Sequence, residues 1–311
     1  MFSLKDKKIL LTGGWGFLGS VVKDTLLERG VEEKNIYAPR STEMDLRKAD
    51  DCRKVVSGCE AVIHVAGTVG GVGFNIEHPA MAFYDNAAMS LNLLEASRLE
   101  GVKKFVGVGS VCEYPKLTPV PFREDDLWSG YPEETNAAYG LAKKMMLVQS
   151  QAYRAEYGFN AVHLLFTNLY GPGDNFDLKN SHVLVALVRK AVEAAERGDK
   201  FIDVWGTGKA TRDFLYVDDA AEAIVLAAEK YDGGEPVNAG SGREISIKEL
   251  AELIMRLVKF NGELKWDTSK PDGQPRRMLD ISRAKNEFGF EAKMALEEGL
   301  KRTIDWYLKT R

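Results

Sequence analysis

The chain has 311 residues, of which 45% are apolar and 28% charged, and 46 acidic against 42 basic residues leave a net charge of −4. This composition excludes a disordered or fibrous chain. It also argues against nucleic acid as a partner, because no basic excess is available to neutralise phosphates. Three cysteines in a chain of this length favour a reducing, cytoplasmic setting over a disulfide framework. The longest stretches without a charged residue, 61–76 and 157–173, are too short and too polar to span a membrane, so we expect a soluble protein.

Short β-rich runs alternate with longer amphipathic segments along most of the chain. Such alternation predicts an α/β fold with a parallel, doubly wound sheet. The predicted strands are 8–12, 35–38, 61–65, 104–108, 161–167, 201–205 and 235–239. The predicted helices are 16–29, 45–56, 79–100, 139–157, one from about 182, and 217–230. The C-terminal third is expected to be mostly helical.

The first strand runs directly into a glycine-rich turn that opens a helix. The turn contains both G-x-G-x-x-G and G-x-x-G-x-x-G spacing. Glycines let the backbone approach a pyrophosphate, and the helix N-terminus supplies N–H donors and a positive dipole end. The pattern therefore predicts dinucleotide binding, although a tight turn without a ligand is the alternative. The expected contact residues are Gly13, Gly14, Trp15, Gly16, Phe17, Leu18 and Gly19.

The end of the second predicted strand bears on the choice between NAD and NADP. An acidic residue there would bind the ribose 2′-hydroxyl of NAD. This strand instead ends with Arg40 and Ser41, and the first acid is Glu43. Arg40 could meet a 2′-phosphate and Ser41 could add a hydrogen bond, so we predict NADP and keep NAD as possible. The alternative is that Arg40 is only a solvated loop residue.

Tyr139 and Lys143 are four residues apart and share one face of a predicted helix. A lysine ammonium close to a phenol lowers the pKa of the phenol, and the tyrosine can then act as an acid or base at a carbonyl or hydroxyl. Ser110 follows the fourth strand, whose carboxyl end should face the ligand crevice. Because a Tyr-x-x-x-Lys pair alone is common by chance, the serine is what favours a catalytic site.

These segments together resemble the extended short-chain dehydrogenase/reductase family of nucleotide-sugar enzymes, over essentially the whole chain. The family-wide motifs are the glycine turn, Ser110, Tyr139, Lys143, Asn168–Pro172 and Arg212–Asp219. Narrower motifs are similar to the branch that converts GDP-4-keto-6-deoxymannose to GDP-L-fucose by 3,5-epimerisation followed by hydride transfer to C4. They are Val69–Val72 with Asn75 and Pro79, Cys112 with Tyr114–Lys116, Asp174–Phe176, Asn180–Val183, Val204–Gly206, and Lys270–Gly273 with Pro275 and Arg276.

The resemblance implies two lobes and a role for each matching residue. An NADP-binding Rossmann domain would comprise residues 1–170 and about 213–242, and a smaller nucleotide-sugar lobe about 171–212 and 243–311. Ser110, Tyr139 and Lys143 would form the reductase triad, with Lys143 on the cofactor ribose. Cys112 and His182 would transfer protons beside the ketone. Further contacts would be Asn168, Leu169 and His182 to the cofactor, and Lys190, Trp205 and Arg212 to the substrate.

Epimerisation next to a ketone needs a base on one face of the sugar and an acid on the other. A thiolate can be the base where its surroundings stabilise it. Asn180 and Ser181 are predicted to cap a helix, which would place His182 in the first turn, where the helix dipole disfavours imidazolium. The alternatives are an inert buried thiol at Cys112 and a purely structural histidine at His182.

Some positions depart from the family pattern. Val111 replaces a second serine, Glu113 an apolar residue, and Lys190 an arginine, and lysine is a point charge rather than a fork for a diphosphate. These changes leave the sugar and base specificity open. His64 and His163 are expected to pack within strands. Four dispersed histidines without a Cys-x-x-Cys motif argue against a metal site.

Other functions stay open at this point. Within the family, the alternatives are a 4-epimerase, a 4,6-dehydratase or a simple 4-reductase using NAD(P), although a dehydratase usually has acids directly after the serine. A non-catalytic NADP sensor would usually lack the tyrosine or the lysine. The apolar faces of helices 80–99 and 141–153 suit a four-helix-bundle homodimer, or burial within one chain.

Overall fold

The computed structural model describes residues 2–178, 181–270 and 272–311, and within these ranges the chain alternates strands and helices. The strands are β1 Ile9–Thr12, β2 Ile36–Tyr37, β3 Ala61–His64, β4 Lys104–Ser110, β5 Ala161–Phe166, β6 Asn168–Tyr170, β7 Phe201–Trp205, β8 Thr211–Tyr216, β9 Val237–Ala239, β10 Glu244–Ser246, β11 Glu263–Asp267 and β12 Arg276–Arg277. The helices are α1 Phe17–Glu28, α2 Ala49–Val56, α3 Val72–Glu77, α4 Pro79–Leu99, α5 Ala137–Tyr157, α6 Val183–Arg197, α7 Val217–Lys230, α8 Ile247–Val258, α9 Ser282–Phe288 and α10 Leu296–Thr310.

Six parallel strands form the central sheet in the order β2-β1-β3-β4-β5-β9. The strands are almost wholly apolar because helices cover both faces of the sheet. Side chains of α1 and α7 pack on one face, and side chains of α2, α4 and α5 on the other. This is the predicted doubly wound α/β fold, which is confirmed. Strand β2 lies on one side of β1 in the sheet, and the chain then crosses over to form β3 on the other side of β1. A ligand crevice is therefore expected beyond the carboxyl ends of β1 and β3.

A separate group of buried side chains lies in the later part of the chain. It includes residues of α6, α8 and α10, packed with β7 and β8. Strand β8 pairs with β6, β10 and β12, and β7 pairs with β11. The domain boundaries near 170, 213 and 242 stay predictions.

The sequence pattern missed α3 and five strands, namely β6, β8, β10, β11 and β12. These elements have two to six residues each. Runs this short are hard to detect by hydrophobic periodicity. No helix among residues 2–178, 181–270 and 272–311 has both the length and the apolar character needed to cross a membrane.

Candidate active site

The glycine turn between β1 and α1 lies where the sheet order reverses. Gly13 has a φ of +70°, and a Cβ there would come within 2.8 Å of the Ala66 backbone just beyond β3. Gly16 precedes α1, and no side chain caps this helix. The N–H groups of its first turn therefore remain available to a phosphate. Leu18 is buried in the core, so it can offer a ligand only its backbone.

Arg40 is held in place at the end of β2. Its guanidinium carbon lies 4.1 Å from the centre of the Trp15 ring. Trp15 is itself fixed, because its Nε1 donates a hydrogen bond of 2.8 Å to the Ala38 carbonyl. Ser41 lies next to Arg40 and is exposed. Arg40 is exposed, and its guanidinium lies on an aromatic face beside the glycine turn, so its role at a 2′-phosphate stays a prediction.

The three predicted triad residues come together at the start of α5. Ser110 ends β4, and its side chain lies close enough to that of Tyr139 to act on the pKa of the phenol. Lys143 is buried, with its Nζ 6.0 Å from the centre of the Tyr139 ring. The Nζ donates a hydrogen bond of 3.0 Å to the Val108 carbonyl, which directs the ammonium toward the carboxyl end of β4.

Burial dominates the electrostatics of the triad. It raises the pKa of Tyr139, with Cys112 and Glu113 adding to the shift and the Ser110 hydrogen bond opposing it. The predicted lowering by Lys143 is therefore wrong for this structure, since desolvation of the phenol outweighs its neighbours. Burial also lowers the pKa of Lys143 to about 8, against the attraction of Glu113. A phenol that holds its proton suits the role of general acid.

Cys112 lies in a 3₁₀ turn, Val111–Glu113, that follows β4 directly. Its backbone N–H donates to Ser110 Oγ at 3.2 Å, and Glu113 Oε1 accepts from the Ser110 N–H at 2.8 Å. The thiol is free and half-buried. Nη1 of Arg277 lies 3.7 Å from Cys112 Sγ, so a guanidinium faces the thiol.

His182 does not lie in the first turn of α6, as the sequence predicted. It is the N-cap residue itself, with φ −74° and ψ 158°, and the helix begins at Val183. Ser181 consequently precedes the cap, and Asn180 lies outside the described residues. Burial lowers the pKa of His182, and the Arg277 guanidinium adds to this shift. Imidazolium is disfavoured as predicted, but burial rather than the helix dipole is the main cause.

Arg277 is the site residue that sequence analysis missed. It lies on β12, directly opposite Arg212 on β8, and its Nε donates to Gln274 Oε1 at 2.8 Å. Arg276, the neighbouring arginine that belongs to a predicted motif, instead forms an ion pair with Glu244 on the same sheet. The Pro275-Arg276 motif was the available signal, but only the pairing of β12 with β8 decides which arginine faces the thiol.

Arg212 lies beside Arg277 as part of the same cationic group. Its guanidinium donates to the carbonyls of Thr211 and Gln274 at 2.7 Å and of Asp272 at 3.0 Å. Burial lowers the pKa of Arg212 to about 10, and Arg277 contributes to this shift. Two adjacent guanidinium groups, buried at Arg277 and half-buried at Arg212, concentrate positive charge at this point.

The remaining predicted residues lie around β6 and β7. Lys190 donates to the Asp203 carbonyl at 2.8 Å, and burial lowers the pKa of Lys190. Trp205 is 56% exposed, with Lys270 Nζ 5.2 Å from its ring centre. Asn168 donates to the Asp213 carbonyl at 3.1 Å, and Leu169 packs against the core that α1 and α7 form on the central sheet. Pro271, named in a predicted motif, lies outside the described residues.

The glycine turn, the held Arg40 and the Ser110–Tyr139–Lys143 group define a dinucleotide-dependent enzyme of the Rossmann type. The chain belongs to the NAD dependent epimerase/dehydratase family, whose model matches residues 9–240. It is similar to GDP-L-fucose synthase 1 of Arabidopsis thaliana, with 42% identity over 99% of this chain and 95% of the relative. The predicted resemblance to the extended short-chain family is confirmed.

Two solved structures have the same fold over nearly their whole length. One is a GDP-L-fucose synthetase from Naegleria fowleri bound to NADP, with a TM-score of 0.88, 30% identity, and coverage of 99% of this chain and 95% of that chain. The other is a GDP-6-OMe-4-keto-L-xylo-heptose reductase from C. jejuni, with a TM-score of 0.93, 28% identity, and coverage of 99% of both chains.

Proposed function

We propose that the chain is an NADPH-dependent 3,5-epimerase/4-reductase that converts GDP-4-keto-6-deoxymannose to GDP-L-fucose. The names of its relatives support this proposal. The observation that carries it is the placement of Cys112. The thiol lies in the turn that begins at Ser110, beside Tyr139, and it faces the same Arg277 whose charge acts on His182.

The described residues fit NADP. The uncapped start of α1 suits a pyrophosphate, and Arg40 on Trp15 suits a 2′-phosphate. The Lys143 ammonium suits the ribose hydroxyls, and Asn168 and Leu169 would lie beside the nicotinamide. When bound, NADPH supplies the hydride that reduces C4 of the sugar.

The side chains of the catalytic turn account for epimerisation. A 4-keto group acidifies the hydrogens at C3 and C5, and the Cys112 thiolate, which faces Arg277, removes one in each of two successive inversions, between which the thiol and His182 exchange protons with solvent. Ser110 and Tyr139 hydroxyls stabilise the enolate oxygen. His182 returns a proton from the opposite face. Because burial and Arg277 disfavour its imidazolium, a proton on His182 is readily given up.

The same hydroxyls serve the reduction. Tyr139 donates its proton to the alkoxide that forms at C4, and Ser110 holds that oxygen in place. Arg212 and Arg277 bind the diphosphate of the substrate, and Lys190 and Trp205 contact the rest of the nucleotide sugar. We extend the proposal to a cytoplasmic homodimer formed through α4 and α5, which keep Met81, Tyr84 and Val148 exposed.

A C4 reductase that does not epimerise is the second candidate. The observation that favours it is the high structural similarity to a GDP-linked 4-ketoheptose reductase. Such an enzyme would use the Ser110–Tyr139–Lys143 group alone. It would leave Cys112 and His182 without a chemical role.

One experiment separates the two functions. The protein is incubated with GDP-4-keto-6-deoxymannose and NADPH in deuterated water, and the product sugar is identified by NMR. We expect GDP-L-fucose with deuterium at C3 and C5. A D-configured 6-deoxy sugar without deuterium at these carbons would establish the simple reductase, and absence of NADPH oxidation would contradict both functions.

A further inference from the structure

A buried acid and a histidine lie directly behind the catalytic turn. Glu113 and His163 are 0% and 2% exposed. His163 Nε2 lies 3.1 Å and 3.0 Å from the two carboxylate oxygens of Glu113, and Oε1 also accepts from the Ser110 N–H. The Glu113 carboxylate thus accepts hydrogen bonds both from a side chain of β5 and from the backbone N–H of Ser110.

Two glycines leave the space that the Glu113–His163 pair and the catalytic turn occupy. A Cβ at Gly109 would overlap both His163 Nε2 and Glu113 Oε1, so the pair occupies the space of a missing side chain. On the other side of the turn, a Cβ at Gly140 would overlap the Cys112 carbonyl oxygen. Because Gly140 follows Tyr139, the turn and the helix that carries Tyr139 are in direct contact.

The surroundings of His163 indicate which ring nitrogen faces the carboxylate. His163 Nδ1 is buried, and no hydrogen-bond partner for it occurs among the described residues. A proton on Nδ1 would therefore be desolvated without an acceptor, which is costly. The imidazole accordingly carries its proton on Nε2 and donates it to the Glu113 carboxylate.

The cationic side chains that interact with the Glu113 carboxylate come from α5. Lys143 and Lys144 are both buried, and Glu113 raises the pKa of each against the lowering caused by burial. Tyr139 of α5 and Tyr114 of the turn also face Glu113. On the β3 side of Lys143 lies His64, which stays neutral because burial lowers its pKa to about 3.

We propose that Glu113, held by His163, is a positioning residue whose hydrogen bond to the Ser110 N–H seats the catalytic turn against α5 and whose carboxylate charge acts on Lys143. The consequence for cofactor binding rests on the proposed function, since it uses Lys143 as the ribose ligand. The coupling of charge between Glu113 and Lys143 does not depend on that function.

The first test measures the thermal unfolding of the protein without cofactor, at pH values from about 6 to about 9. Glu113→Gln keeps an acceptor for the Ser110 N–H and removes the charge. Glu124→Gln is the matched control, because Glu124 is a buried acid that accepts a backbone N–H, from Asn238, and faces Arg283 instead of Lys143. Both are compared with wild type at each pH.

The protonation of Lys143 and Lys144 sets the sign of the expected change in Tm. Loss of the Glu113 charge weakens the folded state only while Lys143 and Lys144 are protonated in it. We therefore expect the Tm of Glu113→Gln minus that of wild type to rise by about 2 °C or more across this range. The difference for Glu124→Gln should stay flat. Parallel curves for Glu113→Gln and wild type would overturn the proposal.

The second test measures NADPH affinity by fluorescence at both ends of the range. We expect Glu113→Gln to weaken binding about threefold more at pH 8 than at pH 6, because its Lys143 loses the proton at lower pH. If this variant does not fold, Glu113→Met/His163→Met replaces the pair by apolar side chains of similar size and should show the same pH trend. Failure of wild type to bind NADPH would contradict the proposed function, whereas the unfolding curves would still decide the charge coupling.

Discussion

Tyr139 combines a half-buried side chain with a raised pKa, and it lies beside Ser110. These properties keep the phenol protonated until an alkoxide needs the proton. The neighbouring Lys143 donates a hydrogen bond to the Val108 carbonyl and does not lower the pKa of the phenol, and in the proposed function its charge acts on the cofactor ribose. The chemistry assigned to the residue is therefore that of an acid during reduction.

Tyr139→Phe should nearly abolish ketone reduction while leaving NADPH affinity close to that of wild type. The ring keeps its packing, and only the proton donor is lost, which typically costs about 10²–10⁴-fold in rate. Tyr157→Phe, at the exposed end of the same helix, is the control and should retain full activity. Reduction by Tyr139→Phe at more than roughly a tenth of the wild-type rate would show that another group donates the proton.

Cys112→Ala should separate epimerisation from reduction. The triad does not include the thiol, so the ketone is still reduced, but an unepimerised sugar is poorly placed and the rate falls by about 10²-fold. NMR of the product should show a D-configured 6-deoxy sugar, without solvent deuterium at C3 and C5. Cys59→Ala removes a buried thiol elsewhere and should leave the product unchanged. A fully epimerised product from Cys112→Ala would rule out the thiol as base.

At the scale of elements, the cofactor preference is decided where β2 ends beside the start of α1. The indole of Trp15, from the turn before α1, supports the Arg40 guanidinium from the loop after β2. Neither element would hold a 2′-phosphate alone. In the proposed function, the α1 terminus would supply N–H groups for the pyrophosphate, and Arg40 would supply the charge farther along the cofactor.

Arg40→Gln should lower kcat/KM for NADPH by roughly tenfold to a hundredfold, because a charge-assisted contact to phosphate is worth about 1–3 kcal/mol. The value for NADH, which lacks the 2′-phosphate, should change little. Arg53→Gln, an exposed arginine on α2, is the matched control. Equal efficiency of wild type with NADPH and NADH would contradict the assignment of Arg40.

At the scale of the whole molecule, the proposed homodimer surface lies on α4 and α5. The two helices pack on each other over one face of the sheet, yet Tyr84 and Val148 remain 63% and 50% exposed. A homodimer formed through these helices would cover such side chains. The proposal gives this surface a second copy of the chain as its partner.

Tyr84→Glu/Val148→Glu should shift the protein from dimer to monomer, since a buried unpaired carboxylate is costly at an interface. Analytical ultracentrifugation at several protein concentrations measures the mass. Leu117→Glu, at an 88% exposed position outside both helices, should leave the mass unchanged. A wild-type protein that sediments as a monomer at every concentration would contradict the dimer.

The sequence by itself determined the doubly wound fold, the glycine turn and the Ser110–Tyr139–Lys143 group. These features depend on local spacing within one strand, turn or helix, and on the shared direction of parallel strands. The same local reasoning was off by one residue at His182, which is the N-cap of α6 rather than a residue of its first turn.

Only the tertiary structure decided which charges surround the catalytic turn. Cys112 and Arg277 are 165 residues apart in sequence, and Glu113 and His163 are 50 apart. Successive side chains on a strand point to opposite faces, so the register between β12 and β8 selects Arg277 over Arg276. Likewise, the pairing of β4 with β5 brings His163 behind Glu113. Burial, which sets the pKa of Tyr139 and Lys143, is a property of the packed molecule and not of the sequence spacing.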